Sequence, residues 1–143
     1  MGELTAALAD PALATIVLAS GTYEFDASTA CDSYSWLCIN RAVTIQAAEV
    51  GMVVLDATGQ RRVFEIIGTG VELVGLNITG GGGLTYFGGG AYIGHGGSAN
   101  FDSCNLYGNE AIMGGGGLAG FCPIVTDCTF TDCNIFNNTA GGN

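Results

Sequence analysis

The sequence predicts an all-β fold, a parallel β-helix of about five coils behind a short N-terminal capping helix. Three observations carry this. A short phrase recurs as Leu76-Asn77-Ile78-Thr79, Cys104-Asn105-Leu106-Tyr107 and Cys133-Asn134-Ile135-Phe136, its asparagines 28 and 29 residues apart. A period in the twenties marks stacked supersecondary units. After residue 20 no stretch of helical length carries apolar residues at three- and four-residue spacing; short β-branched and aromatic runs broken by glycine take its place. Last, the same residue types return to the same place in each repeat, as coils of two or three short strands require.

The elements follow in order. Glu3 to Asp10 is the one helical candidate, with Leu4, Ala7 and Leu8 on one face and Pro11 ending it. Residues 1–12 thus form a cap over the first coil, whose edge would otherwise be open, and residues 13–143 form the coils of a single domain. Thr15 to Leu18 and Thr22 to Phe25 are strands on either side of a Ser20-Gly21 turn. Ala27 to Leu37 is an excursion. Ile39 to Ala47, Met52 to Leu55, Val63 to Ile67, Val71 to Val74 and Leu76 to Ile78 are further strands. Two later coils use Ala91 to Ile93, Ala99 to Phe101 and Cys104 to Tyr107, then Leu118 to Phe121, Ile124-Val125 and Cys128 to Phe136. Glycine runs at 80–83, 88–90 and 114–117 fall between coils, as tight corners or flexible loops. The repeated asparagines, Asn77, Asn105 and Asn134, are expected to stack as an amide ladder. The competing reading is that asparagine favours turns beside glycine.

Charge and cysteine usage bound the function. Thirteen acids face only Arg41, Arg61 and Arg62, for a net charge of −10. That excludes a nucleic-acid partner, whose phosphates need basic groups, and disfavours anionic lipid. Charged residues are 11% of the chain, so small polar residues must cover its surface. Six cysteines point to an oxidising, extracellular or cell-surface setting. Cys31 and Cys38 bracket a loop and form the clearest local pair. Cys104 and Cys133 hold equivalent places in successive repeats, which leaves Cys122 and Cys128; sequence alone does not fix the pairing. Met1-Gly2-Glu3 does not open a signal peptide, and no eighteen-residue apolar run exists to span a membrane. The expectation is a mature or excised segment. The phrase at Asn143 is cut in mid-repeat, so either further chain or an end-on partner at the C-terminal coil is expected.

The opening Leu4 to Phe25, with Ala14-Thr15-Ile16-Val17-Leu18 and Gly21-Thr22-Tyr23, resembles the first coil of pectin-lyase-like right-handed β-helix proteins. Gly88-Gly89-Gly90-Ala91-Tyr92-Ile93, Leu106-Tyr107-Gly108-Asn109 and Ile135-Phe136-Asn137-Asn138 resemble the repeats of polymorphic outer-membrane proteins and related surface β-helices. The first resemblance covers the whole chain and the second roughly residues 63–143. Together they imply a right-handed coil and either an adhesin-like module or a polysaccharide-cleaving enzyme.

Gly94-His95-Gly96 matches a tripeptide of pectin-hydrolysing β-helix enzymes, but the NTD, Asp-Asp and RIK phrases of those enzymes are missing. His95 with Asp102 is the remaining catalytic candidate. Glycoside hydrolysis needs two converging carboxylates, and alternation places Asp102 and Asp132 one slot out of register. No cofactor and no metal cluster is expected. Calcium at Asp56, Asp102 or Asp132 stays open, though no calcium-loop pattern occurs. The sequence therefore points to a non-catalytic secreted or surface module that binds a polysaccharide or protein surface. Trp36, Tyr86, Phe87 and Tyr92 are its candidate contact groups. The alternatives are a lyase- or hydrolase-like fragment and a structural subunit of a larger assembly.

Overall fold

A computed structural model describes residues 2–83, 85–120 and 128–141. Helix α1 (Gly2–Ala9) is followed by a first turn of three strands, β1 (Thr15–Leu18), β2 (Gly21–Glu24) and β3 (Ser35–Ile39). The second turn is β4 (Val43–Ala47), β5 (Val53–Asp56) and β6 (Arg62–Ile66), and the third β7 (Val71–Val74), β8 (Leu76–Thr79) and β9 (Ala91–Ile93). The fourth adds a short strand to the pattern: β10 (Ala99–Asp102), β11 (Asn105–Tyr107), β12 (Glu110–Ala111) and β13 (Leu118–Gly120). A last rung begins with β14 (Cys128–Thr131), β15 (Asn134–Phe136) and β16 (Thr139–Ala140). The expected strand at Ile124-Val125 lies outside the described residues.

Equivalent strands pair in parallel, giving one sheet ordered β1-β4-β7-β10-β14, a second β2-β5-β8-β11-β15 and a third β3-β6-β9-β13. The chain is a parallel β-solenoid of about four turns. Counting passages along a face gives five, as the sequence suggested; five passages enclose four full turns.

Register explains the core. Ile16, Ile45, Leu73, Phe101 and Phe130 form one inward column, and Tyr23, Leu55, Ile78, Leu106 and Ile135 another. Because strand side chains alternate, one face of each strand fills the lumen and the other faces outward. α1 lies over the first rung with Leu4 buried. The Arg41 guanidinium holds it there, donating to the carbonyls of Ala7, Leu8, Asp10 and Leu13 at 2.7–3.3 Å.

The asparagines make two ladders. Asn134 donates to the Asn105 side-chain oxygen at 2.9 Å, and Asn105 to that of Asn77 at 2.8 Å. Asn77 ends the series on the carbonyls of Gly51 and Val53. The second ladder joins Asn109 to Asn138 at 3.0 Å and accepts the Gly81 N–H at 2.9 Å. The glycine runs are rungs of the solenoid: Val63 donates to Gly89, Gly90 to Gly116 and Ala91 to Gly117. A side chain at Gly89 would collide with the carbonyls of Glu110 and Gly116, so only glycine lets these backbones stack so closely.

Candidate functional site

Catalysis is the first possibility the geometry addresses. His95 sits exposed in the corner between β9 and β10, and Asp102 sits exposed at the end of β10. Asp102 accepts the Ser103 hydroxyl at 2.7 Å, and its in-register neighbours are Val74 and Thr131, so no second carboxylate stacks on it. Asp132 follows Thr131, one step past the partner of Asp102. Asp56 lies on β5, in the second sheet, where its carboxylate accepts the Thr58 N–H at 2.8 Å. Asp56 and Asp102 thus belong to different faces of the solenoid.

The four candidate contact groups do not form one surface. Trp36 is wholly buried, which corrects its assignment as an exposed stacking group. It stacks on Phe25 at 5.6 Å, its indole N–H donates to the Ala57 carbonyl at 3.2 Å, and Arg61 covers its ring at 4.6 Å. An indole whose N–H finds a backbone acceptor can be buried at little cost. Tyr92 is half-buried on β9 beneath the Arg62 guanidinium, 4.8 Å from its ring centre.

Tyr86 and Phe87 do stand together, 54% and 44% exposed. Beside them are Ile112 and Met113, 43% and 60% exposed, which the sequence reading passed over. Backbone bonds hold the two segments side by side: Ile112 N–H to Thr85 at 2.8 Å, Met113 N–H to Tyr86 at 2.9 Å, and a parallel bridge from Phe87 to Gly114. In the register of that bridge Tyr86 and Met113 are equivalent positions one repeat apart, with Phe87 and Ile112 beside them, each pair lying just before a glycine run. That spacing was the available signal. The result is an apolar shelf on two hydrogen-bonded corners, the kind of exposed cluster that marks contact sites.

A second, polar surface lies on the outward face of the first sheet. Thr44 bonds Glu72 at 3.1 Å and Thr129 bonds Asn100 at 2.8 Å. Glu72, Asn100, Asp102, Thr129 and Thr131 line a shallow groove of about 220 Å³ there. It offers hydroxyl, amide and carboxylate groups from successive rungs at strand spacing, about 4.8 Å.

The cysteines divide unevenly. Cys31 and Cys38 form a disulfide and close the excursion into a tight loop. Cys128 is also disulfide-bonded, and Cys122 lies outside the described residues. Cys104 and Cys133 carry free thiols, which corrects their candidacy as a bridge. They stack one rung apart with parallel side chains, whereas a disulfide brings its sulfurs to about 2 Å.

Beside the disulfide loop, Asp32 accepts the N–H groups of Tyr34 and Ser35 at 2.7 and 2.6 Å, and Ser35 Oγ lies 3.4 Å from Glu65. Burial and a hydrogen bond to Asp32 push the Glu65 carboxyl up. Burial opposes ionisation of Asp32, but the bonds from Glu65, Tyr34 and Ser35 outweigh it and hold that carboxyl low. The two carboxyls are thus shifted in opposite directions, Glu65 up and Asp32 down. Among the described residues, Cys31, Asp32 and Cys38 also place metal-ligand atoms within 4.8 Å of one another, but both sulfurs are spent in the disulfide. Among the described residues no helix is long and apolar enough to cross a membrane.

The fold defines the class of protein: a parallel β-solenoid, closed at one end by a helix, that displays an apolar shelf and a polar sheet face. No protein family, curated protein or solved structure matches this chain.

Proposed function

We propose that the chain is a non-catalytic β-solenoid recognition module, secreted or on a cell surface, whose contact surface for a polysaccharide or protein partner is the shelf of Tyr86, Phe87, Ile112 and Met113. The shelf is the observation that carries the reading. Four large apolar side chains stay exposed on two segments that backbone hydrogen bonds hold side by side, so a partner meets a largely preformed surface and less ordering is needed on binding. The aromatic pair suits sugar rings or apolar side chains, and the polar groove adds hydroxyl and carboxylate groups for orientation. The resemblance to adhesin-type surface repeats supports the same reading. So does the isolation of Asp102 from any stacked carboxylate, because polysaccharide cleavage needs more than one converging group.

The test mixes the domain with acidic and neutral polysaccharides and with candidate surface proteins, recording binding and new reducing or unsaturated ends together. Binding without new ends, lost in a Tyr86→Ala/Phe87→Ala variant that keeps its β-structure, is the expected result. New ends that vanish on His95→Ala would replace this reading with the lyase or hydrolase one. A second reading, a structural subunit stacked end-on into a larger assembly, is favoured by the last rung, where Phe130, Ile135 and Phe136 remain 40–51% exposed. Concentration-dependent assembly in sedimentation, abolished by Ile135→Asp, is the outcome that would select it.

A further inference from the structure

One core column changes chemistry along the solenoid. Val53, Leu76, Cys104 and Cys133 occupy the same register position in rungs two to five. The first two are wholly buried and apolar, whereas the last two are thiols. Both thiols make the same bonds. Cys104 donates to the carbonyls of Leu73 and Asp102, both at 3.3 Å. Cys133 donates to those of Phe101 and Thr131, at 3.4 and 3.2 Å. Leu73 pairs with Phe101 and Asp102 with Thr131, so the second set of acceptors is the first moved up by one rung. The sulfurs are therefore parallel and about one strand spacing, ~4.8 Å, apart.

That separation suits a particular ligand. A linear sulfur–metal–sulfur unit with bonds near the metal–thiolate length of about 2.3 Å spans roughly 4.6 Å. A disulfide would need the sulfurs drawn together by more than half their separation. Two thiolates with no third ligand-type side chain grouped with them among the described residues favour a soft monovalent ion over a hard or tetrahedral one. We propose that Cys104 and Cys133 form a two-coordinate site for a soft, thiophilic cation of the copper(I) class, bridging the fourth and fifth rungs. Binding converts two thiols and one Cu⁺ into a bis-thiolate complex of charge −1 and releases two protons, with no change of oxidation state. Entry is from the Cys133 side, where the thiol is half-exposed; Cys104 beneath it is fully buried. Because two thiol protons leave on binding, uptake strengthens as pH rises.

The experiment is an anaerobic titration of the intact chain with tetrakis(acetonitrile)copper(I), competed against a chromophoric copper(I) chelator. Ascorbate serves as reductant, so the disulfides stay closed. The expected result is one copper(I) per chain, with affinity rising with pH. Loss of either ligand weakens binding by about a hundredfold or more, beyond what even an outer-shell change costs. Cys133→Ser is the primary variant, because its site is partly open; Cys104→Ala is the second, with circular dichroism checking that each retains β-structure. Titration by Ellman's reagent in the folded wild type, with and without copper(I), gives a readout independent of the variants: the half-exposed Cys133 thiol should react without metal and be protected by one equivalent of it. No uptake, uptake of two ions, or single variants within about threefold of wild type would each overturn the bridged site.

Discussion

The two ends of the solenoid have the same strand pattern and different fates. At the first rung Ile16 and Leu18 are 7% and 5% exposed, because α1 lies over them and Arg41 clamps its last carbonyls. At the last described rung Phe130 and Ile135, the next members of the same inward columns, are 40% and 51% exposed. Between them Ile45, Leu73, Phe101, Leu55, Ile78 and Leu106 are all at 0%. An inward-facing residue in a coil is therefore not yet a buried one; burial comes from neighbours on both sides along the stack. The column that is identical in pattern should be unequal in energy.

The largest expected contrast lies within one column. Phe101 is buried and stacks on Phe130 at 4.9 Å. Phe101→Ala should cost about 3–5 kcal/mol, the range for emptying a packed aromatic site. Phe130→Ala, whose ring has solvent on one side, should cost less than about 1.5 kcal/mol. Urea unfolding of both variants measures the difference. Equal losses would mean that the last rung is covered in solution.

The next contrast concerns how the two ends are fastened. The Cys31–Cys38 disulfide closes a short loop, separation 7, near the capped end. Chain-entropy arguments give about 2.5 kcal/mol for such a loop. A Cys31→Ser/Cys38→Ser variant should lose about that much. It should lose it with Trp36 fluorescence shifted red, since the loop helps to bury that indole. An unchanged midpoint would show that the loop is held by Asp32 and Ser35 rather than by sulfur.

The Asn77-Asn105-Asn134 ladder gives the third contrast, a single interaction graded by burial. Asn77 is buried and satisfies two backbone carbonyls, so Asn77→Ala should cost about 2 kcal/mol. Asn134 is exposed at the other end, and Asn134→Ala should cost no more than about 0.5 kcal/mol. Thermal unfolding of the pair checks the gradient. A reversed order would place the ladder's weight on stacking between amides instead of on the carbonyls it caps.

What could be read from the sequence tracks these differences. The asparagine spacing and the strand runs led to the parallel coils, because a repeat of one residue type at a fixed period has few structural meanings. Trp36 was misread. Its neighbours Ser33, Tyr34 and Ser35 are polar or amphipathic and suggest an exposed loop, and nothing local reveals that Phe25 and Arg61 will both pack on its ring. The second ladder, Asn109 with Asn138, was visible as part of the repeated phrase, but its bonds to Gly81 and to the Ile78 carbonyl depend on a corner that sequence does not draw. Met113 stacks on Tyr86 only in the register set by the Phe87–Gly114 bridge, which the asparagine spacing alone does not give. Arg62, wholly without a hydrogen bond at its buried Nε and desolvated over Tyr92, reads in sequence as half of a solvated Arg-Arg turn.

The smallest effect sharpens the contrast at the disulfide end, where charge rather than packing varies. Glu65 is held above the ordinary carboxylate range by burial and by its bond to Asp32, and Asp32 is held below it. A raised Glu65 contributes stability while it keeps its proton and loses it as pH climbs through its folded value; a lowered Asp32 loses its contribution as pH falls through its own. The pair is therefore most favourable in the weakly acidic range between the two. Glu65→Gln keeps a neutral donor toward Asp32 and cannot ionise, so its stability should stay level where the wild type declines, above the ordinary carboxylate range. The gain at neutral pH should not exceed about 1 kcal/mol, since the pair is partly exposed to water and salt. Melting temperature recorded against pH for both proteins decides it. Curves that converge at mildly acidic pH and part at neutral pH are expected, whereas parallel curves would show that Glu65 is not raised above the ordinary carboxylate range.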